Sequence, residues 1–279
     1  MAGSENTLQQ RRLQKSLELL ERFRAIDDTF MRQVFKDNEE LTEYVLRVIT
    51  NIRDLVVVRQ ETQRDLKRLA SSRSLSLDVW ATDPSGTQYD LEVQRGDDAS
   101  PQRLRYHSAV MDVEALKPRQ TFSELHDQWV IFVMENDPEP GPTGIRHYVR
   151  ADPLTGKELG DGTHLLYVDG GYRGDDELGS LMADFCQSDP DLIQNELLRK
   201  RVQYLKRDPE GVREMCKISE EIYNEGRMDG LKEGREEGRE DGLLQSVRLL
   251  VQNVGWSAKE ALDKLGVPES EQKRYLSML

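Results

Sequence analysis

The chain has 279 residues, of which 37% are hydrophobic and 33% charged, and its formal net charge is −13. That length supports one sizeable core, but the apolar share is too small for a single compact core of the full length, so charged helical extensions are expected. The negative balance excludes a general nucleic-acid coat, because phosphate binding needs positive charge, and leaves room only for a local basic site.

Cys186 and Cys216 are the only cysteines, and neither they nor His107, His126, His147 and His164 show ligand spacing along the chain, which argues against zinc and for a reduced, cytoplasmic protein. Met1 to Asn6 lack a charged region followed by an apolar stretch, and the longest apolar runs, Leu55–Val58 and Trp129–Met134, are strand-sized. Neither a secretion signal nor a membrane partner is expected.

In chain order, Leu13, Leu17 and Leu20 mark an amphipathic helix over Leu8 to Arg24. Asp27 or Asp28 caps a second helical segment that carries Phe30, Val34 and Phe35 and stops near Asn38. A third helix, Glu39 to Thr50, places Leu41, Tyr44, Val45 and Val48 on one side, with Glu43 almost opposite and facing solvent. Val56, Val57 and Val58 begin the first strand. Arg59, Arg64, Lys67, Arg68 and Arg73 before the next stretch, with Arg95, Arg103 and Arg105 after it, gather positive charge, read either as a phosphate track or as ordinary solvated charge.

The stretch Leu75 to Gln94 reads as a β-hairpin. Alternation puts Leu75, Leu77, Val79 and Ala81 on one face with Tyr89, Leu91 and Val93, and puts Asp78 and Trp80 on the other with Asp90, Glu92 and Gln94. Asp83-Pro84-Ser85-Gly86 has the residues a type I turn prefers; with Gly86 left-handed in a three-residue loop, Asp83 pairs with Thr87. Asp78 then lies opposite Glu92. A two-residue loop would set Asp78 against Leu91 and mix the faces, which register selection disfavours. Two like charges so close point to a shared hard cation, or else to a solvated hairpin face.

Ser100 to Leu116 reads as a helix opened by Ser100-Pro101, and Trp129 to Glu135 as an apolar strand followed by the proline-rich loop Pro138 to Pro142. His147 to Arg150 and His164 to Asp169 are further strands. Asp191 to Tyr204 and Gly211 to Asn224 read as helices separated at Pro209-Glu210-Gly211. Gly226, Gly230, Gly234, Gly238 and Gly242 then recur every fourth residue among charged ones, either as a helix stripe for close approach of a second helix or as a flexible linker. The tail carries Leu244, Val247, Leu250 and Val251 as a helical stripe, a capping box at Ser257 to Glu260 for a short helix ending at Gly266, and a last helix from Pro268. With no basic face, this tail suits oligomerisation or partner docking.

Asp78, thirteen intervening residues, then Glu92-Val93-Gln94-Arg95 resembles the core motif of PD-(D/E)XK nucleases, with Gln in place of the usual Lys. More narrowly, Asp27-Asp28-Thr29-Phe30-Met31-Arg32, Leu77-Asp78-Val79, Arg105-Tyr106, Tyr167, Gly174-Asp175-Asp176 and Asp184-Phe185 resemble the bacterial PD-(D/E)XK family of transposase-like, recombination-promoting nucleases, over roughly residues 25 to 225. The resemblance implies an α/β fold with a restriction-endonuclease-like αβββαβ core, a mixed sheet flanked by helices, and a helical carboxyl-terminal extension. The corresponding division is an amino-terminal helix (1–25), the core (26–185), a helical segment packed on it (186–225), the glycine repeat (226–242) and a small helical tail (243–279). It also implies an Mg²⁺-dependent DNA endonuclease, with Mn²⁺ able to substitute. Asp78, Glu92 and the Val93 carbonyl would ligate the cation, Gln94 would position water, and Arg95, Arg105 and Tyr106 would contact phosphate or order the site. The first core helix would offer Glu43 as an additional acid. Homo-oligomerisation through 226–279 and a DNA partner complete the expectation. Its rival is a nucleic-acid-binding or assembly module that keeps the fold without turnover.

Overall fold

The computed structural model describes residues 14–66, 75–95 and 99–279. The first part of the Leu8–Arg24 helix, with Leu13, lies outside these residues, as do Lys67, Arg68 and Arg73 of the basic run. The chain divides into two compact units, Met1–Cys216 and Lys217–Leu279.

The first unit is an α/β fold. Helix α1 (residues 14–22) is followed by α2 (Asp28–Phe35), α3 (Glu39–Thr50), strands β1 (Arg59–Leu66), β2 (Leu75–Thr82) and β3 (Gln88–Gln94), helix α4 (Pro101–Ala115), strands β4 (Gln128–Met134), β5 (Ile145–Tyr148) and β6 (Thr163–Asp169), and helices α5 (Glu177–Phe185) and α6 (Glu196–Arg207). The strands form one mixed sheet in the order β1-β2-β3-β4-β6-β5, an antiparallel meander joined through the parallel pairs β3–β4 and β4–β6 to an antiparallel edge. Helix α4 is the crossover between the parallel neighbours β3 and β4, as parallel pairing requires. It packs its Leu104, Val110 and Met111 on Trp80, Val130, Phe132 and Tyr167. Residues of the other parity, among them Val79, Leu91, Val93, Ile131, Val133, Leu166 and Val168, are buried too, so both sheet faces are covered.

The expected hairpin register is observed. Val79 faces Leu91, Trp80 faces Asp90 and Thr82 faces Gln88, and the Asp83 N–H donates to the Thr87 carbonyl at 3.2 Å. Gly86 has φ +88°, and a Cβ there would also meet the His126 ring at 2.9 Å, so the turn requires glycine twice over. The Asp83 carboxylate secures the loop by accepting from the Ser85 and Thr87 amides at 2.9 and 3.0 Å.

Other boundaries move for local reasons. The first strand begins at Arg59 rather than Val56, because the Val57 N–H is taken by the Glu43 carboxylate at 2.9 Å and the ladder opens only with Val58 donating to Thr82. Asp27 occupies the N-cap of α2, but its side chain turns back to the Arg24 N–H at 2.7 Å instead of capping. Helix α5 was not anticipated; Asp176 caps it by accepting from Gly179 at 2.7 Å. The helix expected from Asp191 starts at Glu196, since the buried Asp184 carboxylate captures the amides of Gln194 and Asn195 at 2.8 Å each and leaves Asp191 in a 3₁₀ turn. Asp184→Ala would strand both amides and is expected to lower stability by about 1–3 kcal/mol, read as a reduced denaturant midpoint at constant slope. Helix α6 docks through Leu198, Val202 and Leu205, with Arg201 donating to the Gln33 carbonyl and Lys206 to Glu21. Burial lowers the Lys206 amine to about 8.

Helix α7 (Pro209–Val254) begins at Pro209, which suits a first-turn position, and residues 226–242 are helical within it. In the second unit, Leu244 and Val247 of α7 pack with Ala261 and Leu262 of α8 (Ala258–Lys264) and Tyr275 of α9 (Glu269–Leu276), while Val251 of the expected stripe is exposed. The capping box at Ser257 and Glu260 is present, and Gly266 has φ +76°.

Candidate functional site

The hairpin carries its acids into a buried position. Asp78, Asp90 and Glu92 are 6%, 0% and 1% exposed, and α4 reaches Asp90 and Glu92 through His107 and Arg103 while α2 reaches Asp78 through Arg32. Directly opposite Glu92, the Asp78 N–H donates to Glu92 Oε1 at 2.8 Å. The paired residues of β2 and β3 end at Val79–Leu91, so Asp78 and Glu92 meet through this backbone-to-side-chain hydrogen bond rather than as a ladder pair.

Each acid has a different neighbour. Arg32 of α2 donates through Nε to Asp78 Oδ1 at 3.0 Å and also meets Asp28 at 2.8 Å. Arg103 of α4 lies 3.5 Å from Glu92 Oε2, and its Nη1 donates to Gln94 Oε1 at 2.8 Å. Asp90 Oδ2 is 2.8 Å from His107 Nδ1, both side chains being fully buried, and the imidazole sits edge-on to Phe132 at 5.1 Å. One ligand atom from each of Asp90, Glu92 and His107 lies within 4.8 Å of the others. Among the described residues, Asp90 Oδ1 and His107 Nε2 are buried with no hydrogen-bond partner.

Electrostatics follow from that burial. Desolvation pushes Glu92 well above the usual carboxylate range, and the charges of Asp90 and Asp78 push it further. Asp90 is raised likewise, by burial first and then by Asp78. Burial raises Asp78 as well, against the opposing pull of Arg32, and burial lowers His107, favouring the neutral imidazole. A carboxyl raised in the folded state binds its proton more tightly there than in the unfolded chain. Its contribution to stability therefore falls as pH rises upward from its ordinary value of 3.8 for Asp90. Asp90→Asn in cation-free protein is expected to gain stability relative to wild type as pH increases from about 4 to neutral. Paired denaturation curves across that range check this; a difference independent of pH would contradict it.

The remaining expected site residues scatter. Arg95 is held by Glu135 at 2.8 Å and Asp27 at 3.1 Å, in a network that also contains Arg24. Arg105 is exposed on α4, and Tyr106 is half-buried against the core. Glu43 is not solvated as expected: it accepts from Val57 and pairs with Arg47 at 2.6 Å, so both oxygens serve the entrance to β1. Arg64 of the basic run stacks over Trp80 at 3.5 Å, and Arg59 pairs with Glu61. Tyr167 donates to the Ala99 carbonyl at 2.6 Å, holding the approach to α4. Gly174 packs so closely on Gly179 that a Cβ on the latter would lie 2.0 Å from the Gly174 oxygen.

Arg32, Asp90 and His107 were missed as site residues, and Arg103 was read only as part of a basic run. Arg103 and His107 are four apart on the helix that follows β3, so their shared face was available in the sequence. The histidines lack ligand spacing along the chain, and folding brings His107 onto Asp90.

Comparisons of the chain with protein-family models, curated proteins and solved structures each return no match. Function is therefore argued from these residues. Among the described residues no helix is long and apolar enough to cross a membrane.

Proposed function

We propose that the chain is a divalent-metal-dependent endonuclease that hydrolyses DNA phosphodiester bonds, in recombination or transposition. The observation that carries this reading is the buried contact of Asp78 with Glu92, whose carboxylate accepts from the Asp78 N–H at 2.8 Å. Asp78, Asp90 and Glu92 are buried carboxylates, the donor type that a hard divalent cation takes, and among the described residues one oxygen of Asp90 has no hydrogen-bond partner. Asp78, Glu92 and the Val93 carbonyl would hold Mg²⁺ or Mn²⁺, which supplies Lewis acidity toward phosphate and an acidified water.

The chain's own residues divide the remaining work. Gln94 cannot provide the charge of the lysine usual at its position, but its Oε1 accepts from Arg103, which turns its amide N–H groups outward as donors to a water or phosphate oxygen. Arg103 brings to the same point the positive charge that Gln94 lacks, suited to charge developing on phosphate. Arg95, tied to Glu135 and Asp27, orders the strand end, and exposed Arg105 is the expected phosphate contact. Incubating supercoiled plasmid with wild type and with Asp78→Ala, with and without Mg²⁺ or Mn²⁺, tests the reading. Nicking that is absent, or that survives the substitution, defeats it.

The near-complete burial of Glu92 favours a second reading, a nucleic-acid-binding module that keeps the fold without turnover. DNA binding without cleavage under every cation would select it. For assembly, Gly230, Gly234, Gly238 and Gly242 each face open space along α7, leaving room for close approach of a second copy's helix. Deleting residues 226–242 is expected to lower the sedimentation-derived mass to that of a monomer; an unchanged oligomeric state would overturn this pairing.

A further inference from the structure

We infer that Asp90, Glu92 and His107 form a second cation position, on the inner side of Glu92, that takes a borderline divalent ion such as Mn²⁺, Co²⁺ or Zn²⁺ in preference to Mg²⁺. It shares Glu92 with the proposed catalytic centre but does not depend on turnover. Three facts carry it. First, the ligand atoms of the three side chains lie within 4.8 Å of one another, and all three residues are buried. Second, charge is left over: Arg32 pairs with Asp78 and Arg103 with Glu92, whereas Asp90 meets the imidazole of His107. Burying a carboxylate without a counter-charge is costly, and a bound cation removes the cost. Third, Asp90 Oδ1 and His107 Nε2 are buried with lone pairs that no described residue satisfies.

The imidazole decides the class of ion. Nitrogen donors suit later first-row metals, while Mg²⁺ demands oxygen ligands and dehydrates reluctantly. The Asp90–His107 contact, 2.8 Å between Oδ2 and Nδ1, holds the imidazole beside the buried carboxylates. Phe132, edge-on at 5.1 Å, fixes the ring from the other side.

The test uses the full chain after chelator treatment, in a His147→Ala background that removes the surface imidazole pair His147–His164, whose nitrogens are 3.0 Å apart. Mn²⁺ is titrated by equilibrium dialysis, and the bound ion is examined by pulsed electron paramagnetic resonance for coupling to imidazole nitrogen. The expected result is a bound Mn²⁺ with nitrogen coupling, retained in Asp78→Asn and displaced by Mg²⁺ only at about tenfold or greater excess over Mn²⁺. Asp90→Asn and His107→Gln should each weaken binding about tenfold or more, and His107→Gln should abolish the coupling. If either variant fails to fold, the nitrogen coupling in the His147→Ala chain decides. No bound Mn²⁺, bound Mn²⁺ without nitrogen coupling, or affinity unchanged in both folded variants would overturn the inference. Failure of the endonuclease reading appears separately, as nitrogen-coordinated Mn²⁺ in a chain that does not nick DNA.

Discussion

Glu92→Gln is expected to lower cation-dependent DNA nicking by about 10³-fold or more, while raising the thermal midpoint of the cation-free chain. Both effects come from one carboxylate. Glu92 is 1% exposed, shares its surroundings with Asp78 and Asp90, and is driven well above its ordinary range by burial and by those neighbours. In the absence of a cation, its charge is a cost to the fold. The amide keeps an oxygen for the Asp78 N–H, so the hairpin pairing survives while the repulsion goes. With a cation, the same exchange removes the carboxylate common to both proposed positions. A purely structural glutamate would move the two readouts in the same direction. Nicking rates and calorimetric midpoints, measured with and without Mn²⁺ on one preparation, separate these cases.

Phe132→Ala is expected to cost about 3–5 kcal/mol, the largest effect anticipated for a single core position. The ring is fully buried at the centre of the sheet, edge-on to His107 at 5.1 Å and to Tyr167 at 6.4 Å, with the Arg103 guanidinium 5.4 Å from its centroid. Truncation opens a cavity against the imidazole that faces Asp90 and against the arginine that serves Glu92 and Gln94. Phe132→Leu retains most of the volume and should recover most of the stability. Denaturant unfolding checks the ranking; a cost below about 1 kcal/mol for Phe132→Ala would show that the face of α4 is loosely packed.

The hairpin was legible because its determinants are local. Alternation over Leu75 to Gln94 and the Asp-Pro-Ser-Gly turn select a single register, and that register sets Asp78 across from Glu92. The start of α4 at Ser100-Pro101 was legible for the same reason, and Ser100 accepts from the Arg103 N–H at 3.3 Å. Side chains that capture distant backbone were not legible. Glu43 delays β1 by binding Val57, and Asp184 delays α6 by binding Gln194 and Asn195; both are choices made by folded neighbours rather than by propensity. The site divides along the same line. Its acids follow from strand alternation and the shared face of Arg103 and His107 from helical spacing, whereas Arg32 comes from a helix whose packing on the acids no spacing rule reveals. Arg95 shows the converse, since its position next to the motif suggested phosphate, and Glu135 at 2.8 Å engages it first.

The central claim is that the acidic end of this hairpin is a hydrolytic cation centre. The most direct measurement is the rate at which chelator-treated protein converts supercoiled plasmid to nicked circles as Mn²⁺ or Mg²⁺ is titrated, beside Asp78→Ala and Glu92→Gln. The account predicts no nicking without a cation, saturable nicking with one, and loss in both variants. Nicking that is independent of cation, survives either substitution, or never appears would contradict it.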